Sequence, residues 1–173
     1  MLAQIKKILV AIDFTENSAY AFLHAINLAQ RYDAKIFILH VIEPLPRMAR
    51  TYAGPTVEAS FYKEKEAADV ERIKKTLDVF CKKIDEHTDG RCVELVSGIL
   101  VRVGHPMNEI LEAADEKECE VIVVGSHGKG FLKRSFLGSV SQSVLARSRK
   151  PVLVVPMPRE SSLTKKIVDS MFV

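Results

Sequence analysis

Cysteine is scarce in this chain and badly placed for any framework. Cys81, Cys92 and Cys119 are odd in number, and no two of them form a Cys-x-x-Cys pair. That excludes a disulfide scaffold and a cysteine zinc site, and it suits reduced thiols in a cytoplasmic protein. Long apolar runs are missing too. Before Asp13 only Ile8 to Ile12 is continuously apolar, too short for the core of a signal peptide. No run approaches the roughly 20 residues of a membrane-spanning helix. Charge of one sign is also absent. The net charge is +3 with scattered carriers, so neither nucleic acid nor a membrane is expected as partner. Lys82-Lys83 and Lys165-Lys166 read as solvated faces of helices.

Catalytic signatures are equally thin. The sequence holds no Gly-x-Ser-x-Gly elbow, no His-Glu-x-x-His and no Walker A loop. No nucleophile is set beside a base. His24, His87 and His105 have no spacing that suggests a metal site. His40, on a strand, reads as a hydrogen-bonded core residue.

What is present is an alternation. The 173 residues suit one domain with a substantial core, at 47% apolar and 27% charged. Strands are expected at Lys6 to Ile12, Lys35 to Val41, Arg91 to Val103 with a bend at Gly98, Val121 to Val124, and Val152 to Val155. Between them run helical patterns. Thr15 caps the first, where Ala19, Phe22, Leu23, Ile26 and Ala29 recur at helical spacing. A second covers Phe61 to Glu86, a third follows Gly104-His105-Pro106, and a fourth spans Ser139 to Arg147. Glu43 to Ser60 is a long loop. In the tail, Leu163, Ile167 and Met171 fit either a docking helix or a frayed end. Strands alternating with helices imply one doubly wound parallel α/β sheet. Ligands of such sheets bind outside the carboxyl ends of the strands. Asp13, Val41 and Gly125 stand at three such ends.

The most informative stretch is Gly125 to Ser139, GSHGKGFLKRSFLGS. It turns over the end of a buried strand and opens a helix. Glycine without Cβ lets backbone approach a ligand, and a helix start offers unpaired N–H groups and a positive dipole end. Lys129, Lys133 and Arg134 add to that bias. A phosphate is the natural occupant. Asp13 would repel phosphate, so it faces a ribose hydroxyl, an adenine amine or a metal. Alternatively it satisfies amides at the helix start near Thr15. His127 is placed to reach a phosphate or metal, or else faces solvent.

The spacing Gly-x2-Gly-x9-Gly-Ser, at Gly125, Gly128, Gly138 and Ser139, resembles nucleotide-binding members of the universal stress protein family. VIVVGSHGKG, LGSVSQSVL and PVLVVP resemble it as well, and the likeness spans roughly Ile5 to Pro156. It implies a five-stranded Rossmann-like sheet of the adenine nucleotide alpha hydrolase type, with strand order 3-2-1-4-5. A single domain over 1–158 is expected, and the tail over 159–173 departs from the family outline by running on past the last strand. The nucleotide-binding residues the likeness implies are Ala11, Asp13, Val41, Gly125, Ser126, Gly128, Gly138, Ser139 and Val140. The ligand would be ATP or AMP, with Mg²⁺ or Mn²⁺ on the phosphates and Val41 pairing adenine through its backbone. The implied role is a cytoplasmic, nucleotide-responsive regulator in stress response, a homodimer through Val152 to Val155. The alternative is a weak metal-dependent ATPase or phosphotransferase at the same site.

Overall fold

Ile8, Leu9 and Val10 of β1 (Lys7–Ala11) are fully buried. Side chains of a strand alternate, so Ile8 and Val10 enter one core while Leu9 enters another. A strand buried on both faces belongs inside a parallel sheet covered by helices. The computed structural model, which describes residues 4–44, 59–87, 91–127 and 137–157 with backbone alone at 59–66 and 87, has that arrangement. β2 (Lys35–Ile42), β3 (Val96–Val103), β4 (Val121–Gly125) and β5 (Val152–Val155) complete the sheet. All pairings are parallel, in the order β3-β2-β1-β4-β5. The expected doubly wound order is the observed one.

One core lies under α1 (Glu16–Tyr32), α2 (Ala59–His87) and the short α3 (Cys92–Leu95). Phe22 of α1 stacks on Phe80 of α2 with ring centres 5.6 Å apart. The other lies under α4 (Pro106–Glu116) and α5 (Ser139–Arg147). There Met107, Ile110, Ala114 and Val144 pack on Leu9, Leu39, Ile122 and Val124. Thr15 caps α1 as expected, its hydroxyl accepting the Ser18 N–H at 3.2 Å.

The strand expected over Arg91 to Val103 needs correction. It begins only at Val96, because Cys92 to Leu95 form α3. The Asp85 carboxylate accepts the N–H groups of Cys92 and Val93 and winds that turn. The bend itself is present: β2 pairs Ile36 with Val96 and Phe37 with Gly98, skipping Ser97. A Cβ on Gly98 would stand 3.2 Å from the Phe37 ring, so glycine lets the bulge lie flat.

Cys81, Cys92 and Cys119 are free thiols and buried. A hydrogen bond with Cys81, then burial, raises the Cys92 thiol, and burial pushes Cys119 up to about 11. Among the described residues no helix is long and apolar enough to cross a membrane. Gly128, Lys129, Lys133, Arg134 and the tail from Arg159 to Val173 lie outside the described residues.

Candidate functional site

β1, β2 and β4 run parallel, so their carboxyl ends open on one side of the sheet. A cavity of about 700 Å³ lies there. That falls within the ~300–1,000 Å³ usual for small-molecule sites. Ala11, Asp13, Val41, Gly125, Gly138, Ser139 and Val140 all line it. Ser126 stands behind the wall, 2% exposed. Gly128 lies outside the described residues.

The β2 side of the cavity follows from the ladder. β1 pairing stops at Ala11 opposite Leu39, while β2 continues to Ile42. Lys35 N–H donates to Lys6 and Leu39 C=O accepts from Ile12, so odd positions of β2 turn their backbone toward β1. Even positions turn toward β3, as Ile42 C=O accepting from Gly104 shows. Val41 is therefore aimed at the β1 side, beyond the last residue of β1. The next rung would have brought it the Ile12 carbonyl. His40 Nδ1 sits 2.6 Å from that oxygen instead, in a buried contact. His40 is thus hydrogen-bonded and buried, as expected, and it also lines the cavity. Leu39, Ile42, Pro106 and Ile110 make this side apolar.

Asp13 is bound into its own turn. Its Oδ1 accepts Thr15 N–H at 3.0 Å and Thr15 Oγ1–H at 2.6 Å. Its N–H donates to Ser18 Oγ at 3.3 Å. Between them Phe14 adopts φ 63°, a left-handed conformation uncommon for a large side chain. The Phe14 ring lies 4.8 Å from the His40 ring, which holds the turn against β2. Asp13 therefore serves the helix start and also faces the cavity.

The far side is built by α5. Gly138 is its N-cap at φ −66° and ψ 155°, a conformation open to any residue. Its N–H is committed, donating to Ser126 C=O at 2.7 Å, and its C=O accepts Gln142 N–H at 2.9 Å. Gln142 makes the first intrahelical bond, so the amides of Ser139, Val140 and Ser141 precede it. No acidic residue occupies the first turn of α5. The dipole end there has no counter-charge on its own helix.

The root of the glycine loop is held by a residue with no sequence signature. Asn17 of α1 is buried, and its Oδ1 accepts His127 N–H at 2.8 Å and Ser126 Oγ–H at 3.2 Å. Its Nδ2 donates to Val155 C=O at 3.0 Å. Ser141 Oγ donates to Gly125 C=O at 2.6 Å from the other side. A Cβ on Gly125 would lie 2.9 Å from Asn17 Oδ1 and 3.2 Å from Asn17 backbone carbon. The glycine thus also lets α1 reach β4. Ser126 Oγ and His127 Nδ1 are 2.7 Å apart, but the serine is buried and bound to Asn17, which leaves it no access as a nucleophile.

Glu43, Asp69 and Arg72 also line the cavity and were not anticipated. Arg72 pairs with Asp69 at 2.8 Å along α2. Only the long-range course of α2 brings them here. Among the described residues no cluster of three or more His, Cys, Asp or Glu could hold a metal.

Residues 4–156 match the model of a family described as the Universal stress protein family. The chain is similar to Universal stress protein MJ0531 of Methanocaldococcus jannaschii, 33% identical over 90% of this chain and 84% of that protein. The solved structure of hypothetical protein MJ0577, from the same organism, superposes with a TM-score of 0.71. It is 28% identical, covering 91% of this chain and 100% of that one. A universal stress protein solved in complex with cAMP shares the fold at TM-score 0.53 and 24% identity, over 88% and 98% of the two chains.

Proposed function

Because the chain belongs to the universal stress protein family, we propose that it binds an adenine nucleotide, ATP or AMP, at this cavity. Its role in this reading is that of a cytoplasmic, nucleotide-responsive regulator of the stress response. The observation that carries the reading is the shape of one cavity with two unlike ends. At one end the Val41 backbone is aimed past the last rung of β1 among apolar side chains, which suits a flat base with donor and acceptor edges. At the other, the first turn of α5 offers amides and a dipole end with no acidic residue of its own helix, which suits phosphate. Asp13, between the two, suits a ribose hydroxyl. The solved cAMP complex of a protein with this fold is in keeping with an adenine ligand. Mg²⁺ or Mn²⁺ would arrive with the phosphates. Among the described residues no nucleophile and base are exposed together, which favours binding over turnover. A homodimer through β5 belongs to the same reading.

Gly138→Asp is the test. Its backbone angles accept any residue, and aspartate is a good N-cap, so the fold should keep its stability. The added carboxylate would meet phosphate at the helix start. Calorimetry should show ATP affinity weaker by at least about tenfold, equal to ~1.5 kcal/mol of lost charge-assisted bonding. Unchanged affinity would remove phosphate from this end of the cavity.

A further inference from the structure

Asn17 touches three separate pieces of backbone or side chain at once. It sits in the first turn of α1, is 6% exposed, and does not line the cavity. Its carbonyl oxygen holds the His127 amide and the Ser126 hydroxyl, where β4 leaves the sheet. Its amide group holds Val155 C=O, which also accepts the Ser126 N–H at 2.8 Å. Ser126 C=O in turn accepts the Gly138 N–H, which fixes the start of α5. One carboxamide thus ties the exit of β4, the end of β5 and, through Ser126, the N-cap of α5. Ser126 Oγ also lies 2.7 Å from His127 Nδ1, so the carboxamide, the hydroxyl and a cavity-lining ring form one chain of contacts.

We propose that Asn17 is a positioning residue for the phosphate end of the cavity. It holds His127 and the Ser126–Gly138 closure in register with the first turn of α5, without touching the ligand. The base end is built on β2 and α4 and has no bond to Asn17. The inference rests on the nucleotide reading above, and it makes a claim that reading does not. Loss of Asn17 should separate the two ends.

The experiment is calorimetry of the full chain with ATP and, separately, with adenosine, for wild type and Asn17→Ala. The variant should bind ATP roughly tenfold more weakly, about the worth of one charge-assisted hydrogen bond, with adenosine affinity essentially unchanged. A residue that only stabilised the fold would shift both ligands or neither. Should Asn17→Ala fail to fold, Asn17→Ser, which keeps a polar group at the site but is too short to span the same partners, takes its place with the same expectation. Wild type that binds ATP beside a variant with equal ATP affinity overturns this inference alone. An equal loss for both ligands overturns it as well. Wild type that binds neither ligand removes the nucleotide reading, and this inference with it.

Discussion

One oxygen of Asp13 is committed to Thr15 before any ligand arrives. Asp13→Ala should therefore have two separable effects. Loss of both Thr15 bonds frees the turn that carries Phe14 at φ 63°, at a cost of about 1–2 kcal/mol in urea unfolding. Adenosine and ATP should bind more weakly, since the proposed reading sets the carboxylate beside the ribose. Inorganic tripolyphosphate should bind equally well or better, because a negative charge has gone. Tripolyphosphate weakened in parallel with ATP would place Asp13 at a metal on the phosphates instead. Asp13, Val41, Gly125 and Gly138 were legible as cavity residues because each is marked locally, by a strand end or a fixed spacing. Asn17 was not. Its partners lie 110 and 138 positions away, and an asparagine near a helix start is otherwise unremarkable. Asp69 and Arg72 were hidden for the same reason, inside a long charged helix whose course no local pattern reveals.

Strands and caps that follow local rules were read with bounds close to those observed, and the one error has a single physical cause. Cys92 to Leu95 have strand-like side chains, yet the Asp85 carboxylate supplies acceptors for the Cys92 and Val93 N–H groups from the preceding helix. A cap delivered across a turn overrides propensity, which is a weak preference over four residues. Asp85→Ala should cost about 1 kcal/mol, the usual worth of a lost N-cap. Amide exchange should quicken at Cys92 to Leu95 while Ile99 to Val101, paired to β2, keep their protection. Protection unchanged at α3 would mean that the turn holds itself. The same ladder logic explains why the cavity exists. β2 outruns β1 at its carboxyl end, and His40 takes the carbonyl that would have continued the pairing. An element that ends early leaves backbone for something else to meet.

At the scale of the whole molecule the proposed homodimer rests on the outer edge of β5. Among the described residues β5 stands last in the sheet and pairs with β4 alone. Ile122 N–H donates to Pro151 C=O and Ser126 N–H to Val155 C=O, so odd positions of β5 face β4. Val152 and Val154, between them, turn their backbone groups outward. Their side chains are apolar and half-buried, and the strand carries no charge of its own. Such an edge is a template for association unless covered. Two copies about a twofold axis would pair these edges antiparallel, each satisfying the other. Val154→Pro tests this cleanly. Proline there deletes an outward N–H and leaves the β4 ladder intact, a position where edge strands tolerate it. Light scattering should give wild type at twice the 19.3 kDa chain mass and Val154→Pro at that mass, with matching circular dichroism. The rival arrangement has residues 159–173 folded over the edge of their own chain. Deleting them should leave the dimer untouched, whereas a shielding tail would give a monomeric wild type that associates only once the tail is gone.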